Sequence, residues 1–275
     1  MATVAKVLLI LAAVLVALIA IGWLGLRVQP KLFAPPDLAP GSVRTMPVPQ
    51  GLPAPVQRFY DKVYGAEMPV IESVVISGRA QIRPAGPFYM PSRFRFTHIS
   101  GHSYRHYIEI TFFGIPVMRV NERYVNGQTL FETPFGNTGD DPKSRQGANL
   151  GLWAETIWTP AVFLTDPRVR WDAVDEQTAL LSVPFEEGEE RFVVRFDPQT
   201  DLITFLESMR YQSPESPSKV LWVNESREWG DINGQLGLRV GALTWMDNGT
   251  PWAIFTVEDI QYNYDVSEYI TRKGP

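Results

Sequence analysis

From about residue 70 to residue 264 apolar and polar side chains alternate, and turn-forming residues interrupt the alternation at short intervals. A period of two puts every second side chain on one face of a strand, and turns this close together join antiparallel neighbours. The turn signals are Gly78, Pro84 to Gly86, Ser100-Gly101, Gly114, Asn126-Gly127, Glu187-Gly188, Asp197-Pro198, Asp231 to Gly234 and Asn248-Gly249. Asn-Gly tolerates the positive φ that a two-residue hairpin demands. The runs between them, 70–83, 94–99, 104–113, 117–125, 129–135, 178–185, 190–196, 202–212, 219–229, 235–246 and 252–264, read as about eleven strands. A meander of that length cannot stay flat; it must curl or split into two layers.

Two helical segments interrupt this pattern. In 54–65, Val56, Phe59, Tyr60, Val63 and Tyr64 share one helical face, with Pro55 in the first turn and Gly65 at the end. Between residues 136 and 168 the alternation vanishes, first into a polar loop and then into 148–164. There Leu150, Trp153, Ile157 and Leu164 form a stripe that Trp158 widens and Pro160 kinks or ends. A helix so rich in aromatics, inserted in a meander, must cover an apolar sheet face. The expected fold is mainly β with α insertions: a long antiparallel meander forming a half-open barrel covered by a helix, preceded by one transmembrane helix.

That first helix is the uncharged run Val7 to Leu26, long enough at ~1.5 Å per residue to span a ~30 Å hydrocarbon core. A removable signal has an apolar core of roughly 7–15 residues followed by a small-x-small site. Here Gly22-Trp23-Leu24-Gly25-Leu26-Arg27 follows instead, with Trp23 placed as an interfacial aromatic and Arg27 and Lys31 able to snorkel. The reading is a retained single-pass anchor. Lys6 and the amino terminus roughly balance Arg27 and Lys31, so charge does not fix orientation; a very short tail before the helix is the layout of a signal anchor with its large domain outside the cytoplasm. Eight prolines between Pro30 and Pro55 suggest a semi-extended stalk. The domain expectation is an anchor over 1–29, a stalk over 30–53, the β half-barrel over 54–266 and a tail over 267–275.

Composition removes several chemistries. The chain has no cysteine, hence no disulfides, thiol nucleophile, thiolate metal site or lipidated cysteine. Its 25 Lys and Arg against 30 Asp and Glu show no basic block, so no nucleic-acid partner is expected. No Gly-rich loop leads from a strand into a helix, Gly101 to Arg105 is no nucleophile elbow, and Ser216 to Lys219 lies in a proline-rich turn without a helix to align it. The acidic group Glu186, Glu187, Glu189 and Glu190 flanks Gly188 as a solvated turn.

All three histidines, His98, His102 and His106, belong to one hairpin. On a helix their spacing would suggest a metal site, but Ser100-Gly101 and the surrounding alternation make two strands. Residues four apart on one strand are ~13 Å apart, far beyond two metal bonds of ~2 Å. Only His98 and His106 can meet, across the turn, on the same face as Phe94, Phe96, Ile108 and Ile110. They read as core or cavity-wall histidines with hydrogen-bonding partners. Glu155, between Trp153 and Trp158, needs water or a partner, for which Arg93, Arg95, Arg119 and Arg123 are candidates. It is either on the solvent side of its helix or a polar group at the mouth of an apolar pocket.

Leu52-Pro-Ala-Pro-Val-Gln-Arg-Phe-Tyr60 after an anchor, Trp153-Ala-Glu-Thr-Ile-Trp-Thr-Pro160, and Val169-Arg-Trp-Asp-Ala-Val174 occur in the order helix, sheet, helix, sheet. In this, residues 50–264 resemble a bacterial membrane-anchored family of unknown function. The strand-and-lid order is also similar to the lipoprotein carriers of the Lol system, whose half-open barrel holds acyl chains under helices; the lipidated cysteine of Lol receptors is replaced here by a protein anchor. Neither resemblance implies a catalytic residue.

The functional expectation is a membrane-anchored, extracytoplasmic binding protein for a hydrophobic or amphiphilic, lipid-like ligand held on a vacant concave face. Its expected wall is Phe94, Phe96, His98, His106, Ile108, Ile110, Trp153, Glu155, Trp158 and Trp222. No cofactor, metal site or catalytic residue is assigned. The alternatives are a hydrolase-like enzyme using His98 or His106 with Glu155 and a non-catalytic scaffold subunit.

Overall fold

The computed structural model describes residues 2–39 and 41–274. Helix α1 (Ala2–Gly25) carries no acid in its first turn and no base in its last, and its residues from Thr3 have a mean hydropathy of 3.0 with none of that surface buried. It is long and apolar enough to cross a membrane. Strand β1 (Arg44–Pro47) follows, then α2 (Ala54–Tyr64), β2 (Glu67–Val70), β3 (Ser73–Ile82), β4 (Met90–Ile99), β5 (Ser103–Phe112), β6 (Ile115–Val125), β7 (Gln128–Thr133) and β8 (Gly136–Thr138). The insertion comprises α3 (Pro142–Glu155), a 3-10 turn (Thr156–Trp158) and α4 (Val162–Thr165). Strands β9 (Arg170–Asp175), β10 (Thr178–Phe185), β11 (Gly188–Phe196), β12 (Ile203–Arg210), β13 (Val220–Ile232), β14 (Gln235–Trp245) and β15 (Pro251–Tyr262) complete the chain, followed by a 3-10 turn (Tyr269–Thr271).

One antiparallel sheet holds thirteen strands in the order β8-β7-β6-β5-β4-β3-β15-β14-β13-β12-β11-β10-β9. It is two meanders joined where β15 pairs with β3, and its edges, β8 and β9, do not meet. The half-open barrel expected from the alternation is therefore present. Some strands were not separable in the sequence: 70–83 divides into the end of β2 and β3, 129–135 spans β7 and the turn into β8, and β9 and β1 had no alternation long enough to show. β1, within the proline-rich segment read as stalk, pairs with β2.

The concave face carries the core. Phe94, Phe96, Ile108, Ile110, Phe192, Val194, Leu206, Trp222 and Phe255 are buried, and α2, α3 and the 3-10 turn after it close over them with Phe59, Leu150, Trp153 and Trp158. α3 begins where expected of an Asp-Pro pair: the Asp141 carboxylate accepts from the backbone N–H of Lys143 and Ser144 at 2.9 and 3.1 Å, with Pro142 in the first turn. The regular helix ends before Pro160, as its missing N–H requires.

The convex face is covered by the chain's two ends. Prolines around residues 30–36 leave neighbouring carbonyls without ladder partners, and arginines of the sheet supply the donors. Arg79 donates to the Pro30 carbonyl at 2.8 Å, Arg93 to that of Lys31 at 2.9 Å, and Arg95 to that of Ala34. Phe33 lies against Arg93 and Arg95 at 4.2 and 5.3 Å. After β15, Val266 and Tyr269 pack on Val75, Arg105 covers the Tyr269 ring at 4.7 Å, and Arg123 donates to the Thr271 carbonyl at 2.9 Å. The four arginines considered as partners of Glu155 are thus on the wrong face. Arg93 and Arg95 alternate with the inward Phe94 and Phe96; Arg93 and Arg119 both pair with Glu109, at 2.6 and 3.3 Å.

Gly78 sits where β4 and β15 crowd β3. A Cβ there would be 2.0 Å from the Thr256 carbonyl oxygen and 3.0 Å from the Phe94 ring. Gly78→Ala should lower the unfolding free energy of the full chain by about 2–3 kcal/mol in urea titrations. Gly139→Ala, with nothing within 4 Å of the new methyl, should change it by less than about 0.5 kcal/mol.

Candidate functional site

The β4–β5 hairpin brings the two inward histidines together. Phe96 lies opposite His106 and His98 opposite Tyr104, so the imidazoles are diagonal neighbours with ring centroids 6.0 Å apart. The last residue of α3 lowers a carboxylate between them: Glu155 Oε2 is 2.7 Å from His106 Nε2 and 3.0 Å from His98 Nε2. From the other side the ladder sets Glu122 of β6 opposite His106, with Glu122 Oε2 3.5 Å from His106 Nδ1. The Tyr104 hydroxyl donates to Glu122 Oε1, and the Tyr104 ring stacks on His106 at 4.0 Å and 13°. Arg210, at the end of β12, lies next to this group with its guanidinium over Trp222 at 4.3 Å and Trp245 at 5.4 Å.

Electrostatics distinguish the two histidines. Burial lowers both imidazole pKa values, but at His106 the carboxylates of Glu155 and Glu122 outweigh it and hold the ring at about 9. At His98 burial prevails and the pKa falls below its usual value. Burial would raise the Glu155 carboxyl, yet His106 and His98 bring it down to about 2. Glu122, buried as well, is lowered by His106 and Tyr104. At neutral pH the group holds two carboxylates, the His106 imidazolium, the Arg210 guanidinium and a neutral His98: the charges cancel.

His98, His106 and Glu155 are the one His and carboxylate set among the described residues with ligand atoms mutually within 4.8 Å, the set a divalent cation would use. Two of those separations are hydrogen-bond lengths, and His106 has a carboxylate on each ring nitrogen. The arrangement therefore stores a proton on His106 and fixes the rotamer of each member.

Of the residues expected to line a ligand site, Phe94, Phe96, His98, His106, Ile108, Ile110, Trp153, Trp158 and Trp222 are all buried. Their side chains fill most of the space under α3, leaving a partly open pocket of about 40 Å³ against Glu155, Trp158, Trp222 and Phe255, room for a few waters. The vacant concave face expected from the sequence is therefore packed. Helix α3 descends into the half-barrel instead of bridging its rim.

Open space lies to one side. A cleft of about 360 Å³ runs between the start of α3, β6, β7 and the β12–β13 loop, with Leu130, Phe131, Trp245 and Trp252 as apolar walls and Glu122, Lys143 and Arg210 as charged groups. Glu122 and Arg210 thus belong to both the buried network and the cleft. Neither they nor Lys143, Trp245 and Trp252 were among the residues expected to line a site. Glu122 reaches His106 only through a ladder irregularity between Ile110 and Thr111, and Arg210 carries no local signal.

The profile of a family of unknown function, DUF6544, matches residues 42–257. The chain belongs to the DUF6544 family. The DUF6544 region runs from β1 into β15 and contains the histidine hairpin, α3 and the cleft. No curated protein matches the sequence. In fold, the chain is similar to a LolA superfamily protein from Nitrosomonas europaea, with a TM-score of 0.45 and 9% identity over 81% of this chain and 99% of that one. It is also similar to a DUF1329 family protein from Desulfovibrio piger, with a TM-score of 0.41 and 11% identity over 76% and 90% of the two chains.

Two outcomes test the buried network. Truncating Glu155→Ala strips the carboxylate from His106 Nε2, leaving the imidazolium only Glu122 at 3.5 Å, and should cost about 3–5 kcal/mol, with Glu155→Gln costing less because it retains an acceptor. His106, raised from 6.5 to about 9, stabilises the fold fully below pH 6.5, and that contribution is lost as pH rises through 9. Denaturant titrations should show stability declining from pH 6.5 to 9 by roughly 2–3 kcal/mol, and His106→Asn should flatten the decline.

Proposed function

We propose that this DUF6544 protein is a membrane-anchored binding protein, its β domain outside the cytoplasm, that holds a lipid-like amphiphile in the cleft beside α3. The lining of that cleft carries the reading. Its size lies within the roughly 300–1,000 Å³ of ligand sites, and its walls are aromatic and aliphatic with a few convergent polar groups. A tail can lie along Leu130, Phe131, Trp245 and Trp252 while a polar head meets Lys143 and Arg210.

The apolar helix supports membrane placement. The Phe113 N–H in the β5–β6 turn donates to the Gly25 carbonyl at 3.0 Å, so the domain abuts the end of α1. Around that contact Phe88, Phe113 and Ile115 are exposed, and Arg27 lies over the Trp23 ring at 4.8 Å. Exposed apolar tips with aromatic and basic neighbours suit a lipid headgroup layer. In this reading α1 is retained as an anchor, and Glu155, hydrogen-bonded to His106 and close to His98, braces the cleft floor as part of the binding framework.

Photocrosslinking of the full chain in native membranes with a diazirine-bearing phospholipid tests this. Adducts should map to peptides spanning 129–148, 210–214 and 245–252 as well as to α1, and adducts confined to 2–25 would refute cleft binding. Gly139→Trp projects a ring into open space at the cleft and should reduce the cleft adducts by about fivefold or more without lowering stability.

A further inference from the structure

The cleft contains buried donors with nothing to donate to. Among the described residues the buried Arg210 Nε has no acceptor, and neither does the indole Nε1 of Trp252. The nearby acids are engaged elsewhere: Glu155 with His98 and His106, Glu122 with His106 and Tyr104. A third donor group, the Lys143 ammonium, donates only to the carbonyls of Pro214 and Ser216, at 3.0 and 2.7 Å. Buried N–H groups without acceptors are costly, so clustered ones mark a place where an acceptor belongs.

The surroundings hold the guanidinium in place. Trp222 and Trp245 hold the guanidinium by its faces. Gly147 of α3 lets the helix backbone pack closely beside it: a Cβ there would come 3.3 Å from Arg210 Nε, tighter than an ordinary contact. A planar guanidinium fixed in this way presents its N–H fork to a carboxylate or phosphate. We propose that Arg210, assisted by Lys143 and Trp252, is the docking point for an anionic phosphate or carboxylate group, the head of the amphiphile whose binding was proposed above. The tail rests on that reading; the anion site rests on the unpartnered donors alone.

The test measures binding to the full chain in detergent by native mass spectrometry, with dioleoylphosphatidylglycerol, dioleoylglycerol and inorganic phosphate as probes. The phosphatidylglycerol should bind at least about tenfold more tightly than the glyceride, which has the same tails and no anionic head. Arg210→Gln should abolish that preference. Trp252→Phe, which removes the indole N–H together with part of the ring, should weaken it about threefold, and thermal melting confirms that both variants are folded. Equal affinity for the two lipids, or an Arg210→Gln chain that keeps the preference, overturns the head-group site and leaves lipid binding standing. Binding of phosphate but of neither lipid, lost in Arg210→Gln, keeps the anion site and removes the amphiphile. Binding of none of the three overturns both.

Discussion

Everything near the centre of this molecule depends on how the carboxylate of Glu155 is neutralised. The residue ends α3, beside the helix carbonyls whose partial negative charge disfavours an acid, and it is lowered among Trp158, Trp222 and Phe255. An isolated ion there would cost far more than the few kcal/mol a domain has to spare. The hydrogen bond from the His106 imidazolium, with His98 Nε2 also 3.0 Å from the same oxygen, offsets that cost, and the second carboxylate, Glu122, then stabilises the proton on His106. The helix can be seated in the half-barrel only with these partners in register, so the network fixes the depth and rotation of α3. That in turn decides which part of the concave face is filled and which part stays open.

The division between filled and open space follows from side-chain size along α3. Leu150 and Trp153 face the sheet and occupy the hollow. Gly147 and Gly151, one turn apart, have no side chain and leave room for Arg210, whose Nη2 lies 4.0 Å from where a Gly151 Cβ would be. A cation of this kind is tolerable because the charges of Glu122, Glu155, His106 and Arg210 sum to zero. The buried network and the cleft are thus one electrostatic unit: the part shielded under α3 balances the charge that the cleft presents.

Much of the fold was legible because period-two alternation and turn residues are local signals, and a sheet of thirteen strands repeats them many times. The exceptions have physical causes. β9 is half-exposed on an edge and lacks a clean apolar face, and β1 sits among prolines that obscure any alternation. The inward placement of His98 and His106 followed from parity with Phe94 and Phe96. The pairing of Glu155 with these histidines appeared only in the enzyme alternative, and the arginines were named as its charge partners, since distance in sequence says nothing about how deep a helix sits. Parity alone should have excluded Arg93 and Arg95, which alternate with buried phenylalanines.

Glu122 shows most clearly where sequence reasoning stops. The β5–β6 turn, with Phe112 opposite Ile115, would by simple continuation set Asn121 opposite His106. A bulge between Ile110 and Thr111 advances β6 by one residue, so that Ile110 pairs with Met118 and His106 with Glu122. Without that extra residue every inward side chain of β6 would point out, and Asn121, which now faces the convex side and accepts from the Gly274 N–H at 3.2 Å, would take its place in the network. An amide there could neither hold the proton on His106 nor offset the charge of Arg210. One irregular ladder step, invisible to alternation because both strands remain strands, thus decides whether the half-barrel contains a balanced set of four charges or an unpaired cation beside the cleft.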